Sequence, residues 1–169
     1  HIKFDYDTTN IDALADAYFT TSTPYSEGLD TGGISLVALS MLVNKDDVRI
    51  QEFLTWIETD QLPTGGIKTR DTSWGDTIYP GTENAASISQ VILGMLANNV
   101  NPSAVTYTID GNNFVTRLLE FQTETGSFEW TLGTGEDLAF STPQAFLALV
   151  SYQIHINEFR AVNPYYFSE

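Results

Sequence analysis

Gln61-Leu-Pro-Thr-Gly65-Gly-Ile67 returns 61 residues later as Gln122-Thr-Glu-Thr-Gly126-Ser-Phe128. Each copy closes an amphipathic stretch, and each is followed by a second stretch that is apolar on nearly every side. A phrase repeated with the same neighbours marks a repeated supersecondary unit. Its parts have physical roles. Glutamine in the last turn of a helix can cap carbonyls that have no intrahelical partner, glycine permits the reversal, and the final large apolar residue fills the gap between units.

Residues 46–60 place Ile50, Phe53, Leu54 and Ile57 on one helical face, with Asp46 and Asp47 in the first turn, where the helix dipole favours them. Residues 112–122 repeat the pattern with Phe114, Val115, Leu118 and Leu119, entered through Asp110-Gly111-Asn112. Both predict one-sided helices. Three other stretches, Ile34 to Val43, Ile88 to Leu96 and Ala145 to Ile154, are apolar almost all round, which predicts helices enclosed by other helices. An offset of 54 aligns Ala85 with Ala139, Ser87 with Ser141, Gln90 with Gln144 and Leu93 with Leu147, and the first copy shares Ala38-Leu39 with Ala148-Leu149. A helix from Thr9 to Phe19 would complete an order that alternates outer and inner helices, and the aromatic tail Asn163-Pro-Tyr-Tyr-Phe closes the chain. In such an array the inner helices run parallel, so loops 20–30, 61–85 and 123–140 gather at one end, where a binding site is expected.

The phrase Gln-x-x-x-Gly-x-[aromatic or Ile] resembles the QW motif of squalene and terpene cyclases and protein prenyltransferases, with Phe128 and Ile67 where the best copies carry Trp. Asn84-Ala-Ala-Ser87-Ile-Ser-Gln90 and Phe140-Ser141-Thr-Pro-Gln144-Ala-Phe-Leu-Ala-Leu are similar to inner-helix openings of toroid domains in bacterial surface proteins and cobalamin carriers. The resemblance implies an all-α fold, an α/α toroid forming a partial ring of helical hairpins with inner and outer layers. Residues 1–169 would be a single prenyltransferase-like or squalene-cyclase-like domain, or a piece of a longer toroid or multidomain protein.

The residues those enzymes use for chemistry are missing. Asp5-Tyr-Asp7 is similar to the acidic motif of class II cyclases but lacks its second adjacent Asp, and it reads equally as the entry to a helix capped by Thr8 or Thr9. Prenyltransferase zinc needs Asp, Cys and His, whereas the chain has no Cys and only His1 and His155. No Gly-x-Ser-x-Gly elbow occurs. A glycosidase needs two carboxylates at a set separation, for which Asp71, Asp76, Glu83, Glu136 and Asp137 are the loop candidates; solvated loop acids are the simpler account. The same acids could hold calcium, although no EF-hand spacing is present.

Composition narrows the rest. Twenty-two acidic against seven basic residues give a net charge of −15, with no Lys/Arg cluster, which excludes nucleic acid and anionic membranes as partners. No apolar run approaches the length of a membrane span, so no membrane insertion is expected. Without cysteine, disulfides and thiolate chemistry are excluded. The first residue is His1, and a mature or trimmed portion of a secreted or wall-bound Gram-positive bacterial protein is expected.

The expected function is that of a non-catalytic binding or structural module, with no catalytic or metal-binding residue assigned. Its expected ligand is an uncharged, partly apolar small molecule of cobalamin type, or a sugar, held by Trp74, Tyr79, Asn84, Gln90, Trp130 and Gln144. The alternative is an enzyme of terpene cyclase or glycosidase type using loop carboxylates. Enclosed helices at the end of a partial ring also predict a homodimer or packing against another domain.

Overall fold

The computed structural model describes residues 33, 36, 37, 39, 40 and 47–165. Asp5 and Asp7, the expected helix Thr9 to Phe19, loop 20–30 and the end of the aromatic tail lie outside them.

Helix α1, Val48–Asp60, starts where the Asp47 carboxylate accepts from the Arg49 N–H, and it buries the expected stripe of Ile50, Phe53, Leu54 and Ile57. The chain then turns through Gly65, at φ +86°. Gln61 does not cap the helix carbonyls. Its amide Nε2 instead donates to Gly65 O at 2.9 Å and to Tyr107 O at 2.8 Å, tying the turn to a distant loop. In the second copy Gln122 makes the equivalent bond to Gly126 O, at 3.2 Å, but at the exposed surface. The phrase is one local turn used at two depths.

A short hairpin follows, β1 Thr72–Trp74 and β2 Thr77–Tyr79, joined at Gly75-Asp76. Its antiparallel register pairs Thr72 with Tyr79, Ser73 with Ile78 and Trp74 with Thr77. Helix α2, Ala85–Ala97, is capped by Asn84, whose side chain accepts from Ser87 N, and every residue in it is buried. After a 3-10 turn at Val105–Tyr107 comes helix α3, Phe114–Glu120, opened by a capping box of Asn113 with Thr116. Here Arg117, not Leu119, joins Phe114, Val115 and Leu118 on the buried side. Leu119 is 45% exposed.

Helix α4, Ser141–Glu158, runs beside α2 in the same direction. Gln90 and Gln144 meet near their starts, and Val162 N, just past α4, donates to Leu96 O near the end of α2. Of the helical residues 33, 36, 37, 39 and 40, Gly33 and Leu36 lie against α2 as well. That crossing is close because both sides are glycine: a Cβ on Gly33 would lie 2.4 Å from Gln90 O, and one on Gly94 would lie 2.9 Å from Gly33 O. Asn98 Nδ2 donates to Leu36 O, and Asn163 Nδ2 to Val37 O, binding the three elements together. The core is continuous from Leu36 through Ile88, Ile92 and Leu93 to Phe53, Phe114 and Phe128.

The all-α toroid is corrected by these elements. Among the described residues four helices and a 3-10 turn share the fold with a two-stranded antiparallel sheet and isolated bridges at Ile109–Asn112, Gln122–Phe128 and Glu129–Glu136, a mixed helix-and-strand domain. The layering also departs from expectation at α4, which buries only Ser141, Ala145, Ala148, Ser151 and His155. Apolar composition all round makes burial favourable, but a helix is enclosed only when neighbours stand on every side.

Candidate functional site

Loops 61–85 and 123–140 do meet. Ala85 N donates to Trp130 O at 3.0 Å, and Phe128 N donates to Thr142 Oγ1 at 2.9 Å, so both loops are pinned at the starts of α2 and α4. Between them lies an open groove of about 340 Å³ whose walls include Lys68, Thr82, Glu83, Arg117, Phe121 and Leu132.

The groove floor is an ion-pair cluster that the spacing of the sequence does not reveal. Arg117 Nη2 donates to Glu83 Oε2 at 2.8 Å and Nε to Oε1 at 3.2 Å. Its remaining amino group pairs with Glu120, and the guanidinium lies 5.1 Å from the Phe121 ring centroid. Thr64 Oγ1 adds a third bond to Glu83, at 2.7 Å. Burial works against the Arg117 charge most strongly, yet the hydrogen bonds to Glu83 and Glu120 outweigh it and hold its pKa above the ordinary arginine value. The Arg117–Glu120 spacing of three residues is visible in the sequence; Glu83, 34 residues away, is not.

Four of the five loop acids offered as candidates for a catalytic pair, all but Asp76, are already engaged. Glu83 is held by Arg117, Asp71 Oδ1 accepts from Gly81 N at 2.8 Å, and Glu136 is bonded by Thr125. Asp137 forms the entry to α4: Oδ1 accepts from Phe140 N, and Oδ2 accepts from Ser141 N and Ser141 Oγ, at 2.9 and 2.6 Å. The bond from the Ser141 side chain, followed by those from the backbone, holds the Asp137 pKa below its ordinary 3.8. A carboxylate depressed on folding contributes stability that is complete above its unfolded pKa and lost as pH falls through the lower folded one. The melting temperature should therefore fall below about pH 4, and fall less steeply in Asp137→Asn. Equal acid sensitivity in that variant would remove Asp137 from the account. No group of three His, Cys, Asp or Glu side chains that could hold a metal occurs among the described residues.

The six expected ligand residues have different local partners. Trp74 and Tyr79 share one face of the hairpin, because Trp74 pairs with Thr77 and Tyr79 with Thr72, two positions along. They stand on its diagonal, within reach of one ligand, and are 84% and 52% exposed. Gln90 Nε2 donates to Gln144 Oε1 at 2.7 Å, so those amides are brought together by the packing of α2 on α4. Gln90 Oε1 is buried without a partner, as are Asn84 Nδ2 and Ser87 Oγ. Asn84 is a cap first, its Oδ1 accepting from Ser87 N. The Trp130 ring leans on Phe140, centroids 5.6 Å apart. Among the described residues, no hydrogen bond or ring contact joins the hairpin face to the Gln90–Gln144 pair.

No helix among the described residues is long and apolar enough to cross a membrane. Comparison with family models, with curated proteins and with solved structures finds no match to this chain.

Proposed function

We propose that this domain is a non-catalytic binding module of a secreted or surface-associated bacterial protein, and that it holds an uncharged glycan against the Trp74–Tyr79 face. The observation that carries the reading is the exposure of Trp74, 84%, on a three-residue strand with no burial to stabilise it. Two aromatic rings on one hairpin face offer flat apolar surface to the C–H faces of a sugar, while backbone and hydroxyl groups nearby supply hydrogen bonds. The face is open, which suits a chain-like ligand lying across it better than a small molecule that must be enclosed. Asp71, just before β1, and Asp76, in the hairpin turn, disfavour anionic polymers. The engagement of Glu83, Asp71, Glu136 and Asp137 in structural bonds supports a role in binding rather than hydrolysis.

The test is affinity electrophoresis through gels containing neutral polysaccharides. Retardation is expected, weakened at least about tenfold in Trp74→Ala and Tyr79→Ala, the loss typical of a contact that dominates an interface. Retardation that both variants retain would overturn the assignment of the face. Failure in every neutral polysaccharide, with a stoichiometric absorbance shift on adding a corrinoid, would replace the glycan by a cobalamin-type ligand.

A further inference from the structure

The exposed residues of α4 are spaced as a packing seam. Pro143, Phe146, Val150, Gln153 and Asn157 are exposed, in steps of three, four, three and four. That alternation is the pattern by which one helix meets another along its length. Phe146 is 67% and Val150 41% exposed, so the seam leaves its two largest apolar side chains bare. Residues 141–157 contain no Asp, Glu, Lys or Arg, in a chain carrying 22 acidic residues and a net charge of −15.

We infer that the exposed face of α4 is the contact surface of a homodimer, with the two copies of the helix packed antiparallel and centred at the level of position 148 along the helix. Two chains of this charge repel wherever their acidic surfaces approach, and the charge-free seam is a face on which they can meet without placing carboxylates together. A two-fold contact must be complementary to itself. The four positions 143, 146, 150 and 153 are symmetric about 148. Antiparallel pairing therefore lays each Phe146 over the other copy's Val150 and each Pro143 over its Gln153, and it sets opposite ends of the helix dipoles side by side. The contact is independent of the hairpin face.

Sedimentation equilibrium on the whole chain tests it. The expected mass is twice the 18.7 kDa of one chain. Phe146→Lys and Val150→Lys should each raise the dimer dissociation constant at least tenfold, while circular dichroism stays unchanged because both sites face solvent in the single copy. A monomer at every concentration, or a dimer indifferent to both substitutions, would overturn the inference. Because the chain has no cysteine of its own, introduced thiols report orientation cleanly. Oxidising a mixture of Phe146→Cys and Val150→Cys chains should give the mixed disulfide dimer. Dimers linked only within each variant would overturn the antiparallel arrangement. Polysaccharide retardation of the Phe146→Lys variant reads the hairpin separately, so failure of either reading leaves the other measurable.

Discussion

Replacing Arg117 with methionine should destabilise the domain by about 3 kcal/mol or more, because it strands the Glu83 carboxylate without its principal partner. The Arg117 and Glu83 side chains are only 10% and 13% exposed, so water cannot take over the lost bonds in full. Thr64 would remain as a single neutral donor. Double substitution separates burial from charge. Arg117→Met with Glu83→Gln removes both charges and should recover much of the loss, since a buried pair costs more to break than to replace. Urea denaturation of the two variants and the parent chain measures both differences. A double variant no more stable than Arg117→Met alone would show that Arg117 contributes by packing against Phe121 and not by pairing.

Gly65→Ala should cost about 3 kcal/mol, whereas Gly126→Ala, at the same place in the repeated phrase, should cost about 1 kcal/mol. Both glycines take left-handed backbone angles, φ +86° and +90°, so each alanine pays the same conformational strain. The surroundings differ. A Cβ on Gly65 would lie 2.5 Å from Asn113 N and 2.7 Å from Asn112 C, backbone atoms at the cap of α3 that cannot give way alone. A Cβ on Gly126 meets nothing nearer than Gln122 Nε2 at 4.0 Å. Thermal melts of the two variants decide the matter, and equal losses would mean that the α3 cap moves freely.

Much of the helical structure was legible because its signal is local. The stripe of Ile50, Phe53, Leu54 and Ile57 is buried as its spacing requires, and the uninterrupted apolar run in α2 is enclosed. The hairpin was also written locally, in β-branched and aromatic residues either side of Gly75-Asp76, a two-residue turn signal. All six strand residues are exposed, so the hairpin lacks the apolar–polar alternation that identifies a half-buried strand. The all-α expectation, which follows from the helical repeats and the toroid resemblance, has no place for it. Among the candidate residues, Trp74 and Tyr79 fall on one hairpin face, and Gln90 bonds Gln144 at the 54-residue offset by which the two stretches align in the sequence. The bond between Gln90 and Gln144 was not legible, because the distance between two segments is a property of how helices stack.

Repetition and periodicity in the chain settled that α1 is greasy on one face and α2 on every side, and that Gly65 and Gly126 reverse the backbone. These depend on neighbours within a few residues. Three-dimensional packing alone settled that Gln61 is buried against Tyr107 while Gln122 faces water, that Arg117 reaches Glu83, and that α4 keeps one apolar seam uncovered. Burial and ion pairing depend on which segments meet, and a residue's own spacing carries no record of what will be packed against it.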